Sequence, residues 1–295
     1  MKLIVPDYYP AFRCIAGDCR HSCCIGWEID VDQDSMERFS HVTGELGQRL
    51  RENIDRENGC FRLGEGERCP FLNQEGLCDL IIGLGEDCLC QICADHPRFR
   101  NFLSDRTEMG LGLCCEAAAE LILMQQKPVG FLTLEDDGGD EAPDGSFLAF
   151  REKLLGLVQD RSLPMVQRVE NMLRACGIAL QIDYAHWADF LMELERLDES
   201  WAQVLQRLYE PEQPVDARWE TPLEQLMVYL LFRHLAGALE DGDVQGRVAY
   251  CALIWQLLRR MLRDDLCELA RLYSSEIEYS DENLDAMLEE IDGSL

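Results

Sequence analysis

The spacing of apolar residues in the second half of the chain predicts a succession of helices. From residue 147 onward, apolar side chains recur every three or four positions, which is the period of a helix with one buried face. Helices are predicted at 147–159, 164–176 (with Gly177 as a stop), 184–209 (one long or two short), 221–239 (with a Thr221 cap), 244–273, and from a Ser280 cap to about residue 291. No strand-rich pattern interrupts them, so this half is predicted to form an α-helical bundle.

The first 116 residues follow a different pattern, because glycine, proline, asparagine and cysteine interrupt every periodic run. One amphipathic helix is predicted from Asp34 to about Asn53. A second helix is predicted to begin near Cys114 and to end before Pro128. Most of this part is therefore predicted to be loop-rich.

The stretch 135–146 is acidic, rich in glycine and without an apolar period. It is predicted to be an exposed linker or loop. The expected fold class is therefore mainly α: a loop-rich, cysteine-containing metal-binding module at 1–134 packed on an α-helical domain at 147–295.

The charge of the chain excludes some functions. The net charge is −29 and the isoelectric point is about 4.4, whereas nucleic-acid binding requires Lys and Arg to neutralise phosphates. No nucleic acid and no anionic membrane surface is expected as a partner, although a lysine-bearing protein fits an acidic surface. No window resembles a membrane span, and Met1–Asp7 does not resemble a secretory signal, so a cytoplasmic protein is expected.

Cysteine is concentrated at the beginning of the chain. Twelve of the fifteen cysteines occupy positions 14, 19, 23, 24, 60, 69, 78, 88, 90, 93, 114 and 115. A reducing compartment keeps thiols free, so such a dense cluster favours metal ligation over disulfides. The remaining three, Cys176, Cys251 and Cys267, fall in helical patterns and are expected to be core residues.

The first cysteine group is Cys14-x4-Cys19-x3-Cys23-Cys24. Thiolates select zinc, copper(I) or iron–sulfur clusters over harder ions. Zinc ribbons favour two separated pairs, so this compact spacing leans towards a cluster, and a four-iron cluster is favoured over zinc without excluding it.

The second group is more dispersed and comprises Cys69, Cys78, Cys88-x-Cys90-x2-Cys93 and Cys114. Cys60 stands alone and is expected to be a buried apolar residue rather than a ligand. His21 and His96 lie beside cysteines and are weaker candidate ligands. No Walker loop, zincin motif, nucleophile elbow or Rossmann pattern accompanies these groups.

Several motifs around these cysteines resemble the flagellin lysine N-methylase family, within a wider group named for a cysteine cluster that chelates zinc or iron. The matching segments within residues 6–120 are Pro6-Asp7-Tyr8-Tyr9, Phe12-Arg13-Cys14, Gly26-Trp27-Glu28-Ile29-Asp30, Cys69-Pro70-Phe71-Leu72, Leu77-Cys78, Cys93-Ala94-Asp95-His96-Pro97-Arg98 and Cys114-Cys115-Glu116-Ala117. The resemblance implies methylation of flagellin lysine ε-amines, with flagellin as the protein substrate and S-adenosylmethionine as the methyl donor.

The family's cysteine pattern falls on Cys14, Cys19, Cys23, Cys24, Cys69, Cys78, Cys93 and Cys114, which are the implied metal ligands. Three features depart from it. His96 stands where the family usually has tyrosine, Cys115 stands where proline is usual, and Cys88 with Cys90 is additional. The chain is also short for the family. A different class of function remains open: a non-enzymatic metal-binding or redox-sensing module.

Methyl transfer to lysine requires a neutral amine, whereas the ordinary lysine pKa of about 10.4 keeps the group protonated near neutral pH. The enzyme must therefore desolvate the amine or supply a base. Carboxylates beside the cysteine motifs, at Asp30, Asp32, Asp95 and Glu116, are candidates for orienting the amine. Each is more often a surface carboxylate or one that supports a metal ligand. The sequence therefore assigns no catalytic residue and no methyl-donor site.

Overall fold

The structure is a computed structural model that describes residues 1–139 and 141–292. It divides the chain into two compact units. The helical unit comprises Met1–Phe12 together with the chain from Phe99 onward, and the cysteine unit comprises Arg13–Arg98.

The helices, in chain order, are α1 (Gln33–Ser40), α2 (Gly44–Asn53), α3 (Asp79–Leu84), α4 (Gln91–Asp95), α5 (Glu116–Leu123), α6 (Gly145–Val158), α7 (Met165–Ala175), α8 (Tyr184–Glu193), α9 (Glu199–Leu205), α10 (Glu220–His234), α11 (Ala238–Asp241), α12 (Val244–Met261), α13 (Leu266–Tyr273) and α14 (Asp281–Asp292). A π-helical turn, Ser274–Glu278, joins α13 to α14. The strands are β1 (Lys2–Pro6), β2 (Ile54–Asp55), β3 (Cys60–Phe61), β4 (Arg98–Leu103), β5 (Arg106–Leu111) and β6 (Phe131–Asp136).

The expectation of a mainly α protein is confirmed, but the helical unit also contains a sheet of order β4-β5-β1-β6 that the sequence did not predict. β1 runs parallel to β5 and antiparallel to β6. Each of these pairings joins residues more than about a hundred positions apart, and such contacts leave no local signal in the sequence.

The structure divides the chain at points other than the linker predicted at 135–146. The first residues of that stretch belong to β6, which pairs with β1 in the helical unit. Residues 99–134, which were assigned to the N-terminal module, also lie in the helical unit. The pairing of β1 with both β5 and β6 is the physical reason for this division.

The core of the helical unit is built around α10 and α12, whose residues are almost all buried. Trp255 of α12 is fully buried, and its indole N–H donates to the Leu223 carbonyl of α10 at 2.9 Å. A buried ion pair between Arg151 Nη1 and Glu108 Oε2, 2.6 Å apart, connects α6 to β5. The predicted helical bundle is therefore present, and it packs against the sheet.

Helix ends follow local capping rules at several positions. Gly177 follows α7 with φ of 71°, and the Ile178 N–H donates to the Leu173 carbonyl at 3.0 Å, which completes a Schellman motif. The Ser280 hydroxyl accepts the Asn283 N–H at 3.2 Å, which confirms the predicted cap of α14.

Three predicted helix boundaries were wrong. Thr221 does not cap α10, because a preceding 3-10 turn capped by Asp216 runs directly into that helix. The helix predicted at 34–53 is interrupted before Gly44, whose φ of 74° suits glycine and breaks the run into α1 and α2. The run predicted at 244–273 likewise restarts at α13, where Asp265 accepts the Glu268 N–H at 3.0 Å.

The cysteine unit has its own small apolar core, which includes Phe39, Leu50, Phe61 and Phe71. The Phe61 and Phe71 rings are 5.0 Å apart, and Arg49 lies over Phe71. None of the helices in the described part of the chain is both long and apolar enough to cross a membrane.

Candidate functional site

Backbone pairing brings the first cysteine group close to the second. The Cys69 N–H donates to the Cys24 carbonyl at 2.8 Å, next to an antiparallel bridge between Ile25 and Arg68. Gly26 follows with φ of 90°, a conformation that glycine adopts without strain, and its N–H donates to the Glu67 carbonyl. Two cysteines that are far apart in sequence therefore lie side by side.

Cys78 joins the same region through a tight turn. Leu72 and Cys78 form an antiparallel bridge, and the Asp79 N–H donates to the Phe71 carbonyl at 2.8 Å. The Cys78 sulfur accepts hydrogen bonds from the N–H groups of Leu80 and Ile81 at the start of α3. The Cys69 sulfur accepts the Phe71 N–H in the same manner. Donors aimed at sulfur favour the thiolate, which is the form that ligates metals.

Cys93 lies on the short helix α4, whose start is held by Asp32. The Asp32 carboxylate caps α1 and also accepts the Gln91 N–H at 2.8 Å. Arg38 of α1 donates to the Leu89 carbonyl at 3.0 Å. These contacts fix α4 against α1 and so fix the position of the Cys93 thiol.

Four thiols lie close enough for their charges to affect one another. Burial, together with the charges of Cys24, Cys78 and Cys93, raises the pKa of Cys69 to about 12, although the hydrogen bond from the Phe71 N–H opposes the shift. A hydrogen bond with the Cys90 thiol is the main cause that raises the pKa of Cys93 above its usual range. Burial and the charge of Cys24 act in the same direction. We call Cys24, Cys69, Cys78 and Cys93 the thiol group.

Cys24 is the most acidic member of the thiol group. A hydrogen bond with the Cys23 thiol lowers the pKa of Cys24 to about 7, with further help from the Ser22 hydroxyl and the charge of Arg68, while burial opposes the shift. A thiol with such a pKa is substantially ionised at neutral pH.

Two cysteines that the sequence treated as extras border the thiol group. Cys90 is buried, and its side chain is hydrogen-bonded to that of Cys93. Cys88 packs against the same core, and its thiol donates a hydrogen bond to the Leu80 carbonyl. Burial and the nearby Cys78 raise the pKa of Cys88. Cys23, a predicted ligand, also lies here, since its thiol is hydrogen-bonded to Cys24.

Other predicted ligands lie elsewhere. Cys14 is exposed, and Cys19 donates to the His21 carbonyl at 3.3 Å; neither packs against the core of the cysteine unit. Cys60 is buried on β3 beside Glu28, as expected for a core residue.

Cys114, the last of the predicted ligands, belongs to the helical unit. Its sulfur accepts a hydrogen bond from the Tyr279 hydroxyl. Burial raises the pKa of Cys114 to about 12, although this hydrogen bond and the charge of Arg233 oppose the shift.

The thiol group matches a soft metal in the type of its donors, as thiolates hold zinc and iron–sulfur clusters. Within residues 1–139 and 141–292, however, no three Cys, His, Asp or Glu side chains are arranged so that they could hold a metal ion. The fit of the site to a metal therefore rests on its donor chemistry alone.

The carboxylates beside the cysteine motifs are engaged in local structure. Hydrogen bonds from Gln91 and Ser35 lower the pKa of Asp32 to about 2 against the effect of burial, so Asp32 is a weak base. Asp95 accepts the Gln91 side chain at 2.7 Å. Burial lowers the pKa of His96 to about 4, and its ring lies 6.2 Å from the Trp27 ring.

A buried polar network in the helical unit was missed by sequence reasoning. Glu278 accepts hydrogen bonds from the Tyr229 hydroxyl at 2.6 Å and the Ser274 hydroxyl at 2.5 Å. Its other oxygen lies 2.7 Å from His234 Nε2, and Arg233 lies 3.6 Å from the carboxylate. These residues come from α10 and the π-helical turn, a kind of helix irregularity that is frequent at functional sites.

Two aromatic rings hold Arg233 within this network. Its guanidinium carbon lies 4.8 Å from the centre of the Phe99 ring and 4.9 Å from that of Tyr279. A Cβ atom on Gly110 would lie 2.3 Å from Phe99, and one on Gly112 would lie 2.3 Å from the Tyr279 hydroxyl. The Gly-Leu-Gly sequence before Cys114 was the available signal for this arrangement.

Comparison with known proteins finds similarity to two proteins named lysine-N-methylase. One is from Salmonella typhimurium and the other from Salmonella choleraesuis, and the chain is 24% identical to each over 250 residues. The aligned region covers 81% of this chain and 57% of each relative. It is 25% identical over 126 residues to the flagellar biosynthetic protein FliU of Salmonella muenchen, covering 40% of this chain and 75% of that protein.

These similarities are distant and partial. No family model matches the chain, and no solved structure matches it. The chain spans little more than half the length of the two lysine-N-methylases, at 57% of each. What the sequence motifs and the comparisons share is a likeness to lysine-N-methylases that extends over most of this chain.

Proposed function

We propose that this chain is a protein lysine N-methyltransferase that acts on flagellin. The observation that carries the proposal is the similarity over 81% of the chain to proteins named lysine-N-methylase. The match to a protein named for flagellar biosynthesis supports flagellin as the substrate. The acidic surface of the chain suits a lysine-bearing protein partner.

We further propose that the thiol group holds a metal centre, with a four-iron cluster favoured over zinc. Cys24, Cys69, Cys78 and Cys93 are the proposed ligands within the cysteine unit, and Cys14, Cys19, Cys23 and Cys114 remain candidates from the sequence. Such a centre would keep its ligating thiols deprotonated and would tie the segments that carry them together. Support comes from the shared environment of the four thiols.

The chain's own residues prepare this site in two ways. Backbone N–H groups of Phe71, Leu80 and Ile81 donate to sulfur atoms and so offset part of the burial that raises the pKa of Cys69 and Cys78. The Asp32 carboxylate fixes α4 and thereby the Cys93 side chain. Because hydrogen bonds hold the pKa of Asp32 near 2, this residue orients the site rather than accepting a proton from the substrate amine.

The direct test incubates anaerobically purified protein with flagellin and S-adenosylmethionine carrying a labelled methyl group. We expect label on lysine ε-amines, located by mass spectrometry of flagellin peptides. Flagellin with its lysine amines blocked by acetylation is the matched control and should remain unlabelled. Absence of label on lysine, with the protein folded and its metal intact, would refute the activity.

A second measurement separates the metal from the activity. Elemental analysis and visible absorbance distinguish iron–sulfur from zinc, and Cys24→Ser should lower metal content while Cys176→Ser should not. A non-enzymatic metal-binding module, the alternative function, predicts bound metal with no methyl transfer and no binding of S-adenosylmethionine.

A further inference from the structure

Strand β6 forms one edge of the sheet in the helical unit, and in the described part of the chain only β1 lies beside it. Every residue of the strand, Phe131–Asp136, is exposed. Three of them carry large apolar side chains, since Phe131, Leu132 and Leu134 are exposed by 36%, 42% and 44%. An edge strand that is both uncovered and apolar is a template on which a further strand can pair.

The register of β6 on β1 shows which of its backbone groups face outward. The Asp7 N–H donates to the Gly130 carbonyl at 2.8 Å, and Leu132, two residues further along, is in register with β1. In an antiparallel pair, residues that bond to the neighbouring strand alternate with residues that do not. The N–H and C=O groups of Phe131 and Thr133 therefore face away from β1. These outward groups are the ones that a further strand would use.

A β-bulge limits how far such pairing can extend. The register of β6 shifts against two adjacent residues of β1, so that Leu134 has no residue opposite it. A bulge increases the local twist and bends the strand away from a straight edge. Pairing with a further strand is therefore expected over residues 130–133, with Glu135 and Asp136 lying just beyond the paired segment.

The charges at this end of β6 restrict what can bind there. Glu135 forms no ion pair and no hydrogen bond within residues 1–139 and 141–292. Lys2 lies opposite Asp136 on β1, but its Nζ atom is 3.5 Å from Asp105. Opposite charges on neighbouring strands attract, and like charges repel. An apolar edge with an acidic end therefore favours a strand that carries basic side chains.

A second copy of this chain fits the edge less well. Each copy carries a net charge of −29, so two copies repel each other. Antiparallel pairing of two β6 strands would set the acidic end of each beside the apolar residues of the other. Parallel pairing would set acidic residues beside acidic residues.

We propose that β6 binds an extended, basic peptide segment of a partner protein by strand addition. The outward backbone groups of Phe131 and Thr133 bond to the peptide backbone, Leu132 and the neighbouring apolar side chains contact its apolar side chains, and Glu135 with Asp136 attracts its basic side chains. The backbone groups impose the extended conformation, and the carboxylates impose the charge. The inference concerns binding alone and does not depend on methyl transfer.

Substitutions at Thr133 provide a matched test. Thr133→Pro removes the outward N–H at an edge position, where proline is tolerated. Thr133→Val keeps the N–H and has nearly the same shape. Fluorescence anisotropy of the full chain with a labelled peptide of three lysine-valine repeats measures affinity. We expect it to fall by about tenfold in Thr133→Pro, because a main-chain hydrogen bond is lost, and to stay within about twofold in Thr133→Val.

A second peptide separates strand addition from attraction between charges. The same sequence with methyl groups on alternate backbone nitrogens keeps every lysine but cannot donate hydrogen bonds along its paired edge. It should bind about tenfold more weakly than the parent peptide. Binding of both peptides with equal affinity would show attraction by charge alone and would overturn the proposal.

Neutral substitutions at the acidic end test the choice of a basic partner. The double variant Glu135→Gln, Asp136→Asn should bind the parent peptide several-fold more weakly at low salt, with a smaller difference at high salt. The control is Asp281→Asn, Glu282→Gln, which neutralises two exposed carboxylates at the start of α14. Equal losses in the two double variants would overturn the assignment to β6.

The remaining outcomes also decide. Circular dichroism and thermal unfolding establish that each variant is folded, and if Thr133→Pro is destabilised, the methylated peptide and the acidic-end variant decide. Equal affinity of Thr133→Pro and Thr133→Val would overturn the proposal. A dimer in sedimentation that Thr133→Pro abolishes, with no peptide binding, would assign the edge to a second copy instead. Peptide binding of the expected kind without methyl transfer to flagellin would refute the proposed function and leave this inference standing.

Discussion

Glu278 is the residue on which the buried polar network of the helical unit depends. Its carboxylate is inaccessible to solvent and interacts with Arg233, His234, Tyr229 and Ser274. Burial alone would raise its pKa, but the charge of Arg233 and the hydrogen bonds lower the pKa of Glu278 to about 2. Glu278 is therefore ionised in the folded protein across the whole physiological range.

Glu278→Gln is expected to lower the free energy of unfolding at neutral pH by about 3–5 kcal/mol, because a buried arginine loses its counter-charge. The folded pKa of about 2 lies below an unfolded value of about 4.3. The carboxylate therefore contributes its stability above about pH 4.3, and that stability is lost as the pH falls towards about 2. Urea unfolding between about pH 7 and 3 measures the difference between original and variant, which should shrink as the pH falls.

Glu212→Gln is the matched control, since Glu212 is an exposed carboxylate that also contacts arginines. Its effect should be below about 1 kcal/mol, as for other exposed ion pairs. A difference between Glu278→Gln and the original protein that stays constant with pH would show that folding does not lower the pKa of Glu278.

At this scale, the sequence pattern indicated thiols better than it indicated the groups around them. Four of the eight cysteines that the family resemblance implied as ligands, Cys24, Cys69, Cys78 and Cys93, lie near one another in the structure. Arg233 and Glu278 gave no signal, because a buried charge is recognised by its surroundings and those come from distant segments. The sequence analysis took Cys90 as additional to the family's cysteine pattern, because spacing along the chain does not reveal the hydrogen bond between the Cys90 and Cys93 side chains.

Strand β5 and the residues that follow it show how small residues position large ones. Gly110 leaves room for the Phe99 ring, and Gly112 leaves room for Tyr279, so both rings reach Arg233. A methyl group at either glycine would meet ring atoms at distances that real Cβ atoms do not show.

Gly112→Ala is expected to destabilise the chain by about 1–3 kcal/mol, the usual cost of overpacking. Tyr279→Ala removes the ring that the new methyl group would meet, so the double variant should be more stable than the sum of the two single changes predicts. Chemical unfolding of the two single variants and the double variant measures this coupling. Purely additive effects would show that Tyr279 does not require glycine at position 112.

Gly156→Ala is the control for the same chemical change. Gly156 lies within α6, and a Cβ atom there meets nothing within 4 Å. Alanine should stabilise this helix by up to about 1 kcal/mol through its better helix propensity. Opposite signs at positions 112 and 156 would confirm that the loss at 112 comes from packing against Tyr279.

Helices were predictable and strands were not, for one physical reason. A helix is specified by neighbours three and four residues apart, and its ends by caps such as Ser280 and Gly177. β1 pairs with strands more than about a hundred residues away, so no short turn in the sequence joins it to either partner. The thiol group combines both cases, because its cysteines are conspicuous in the sequence but long-range backbone contacts bring them together.

At the scale of the whole molecule, the two units are stabilised differently. The helical unit buries a large apolar core around α10 and α12. The cysteine unit has a much smaller apolar core, into which the sulfur atoms of Cys69 and Cys90 are built. Small cores rarely supply enough stability by themselves, and metal binding is a common supplement.

Removal of the proposed metal should therefore unfold the cysteine unit before the helical unit. Chelator treatment of the full chain should make residues 13–98 sensitive to protease while fragments from residue 99 onward stay protected. Cys69→Ser should reproduce this pattern without chelator, because it removes a proposed ligand from the core of the unit. Cys176→Ser, a change of the same kind in the helical unit, should leave protection unchanged. Equal protection of both units after complete metal loss would show that the apolar core around Phe61 and Phe71 suffices to fold the cysteine unit.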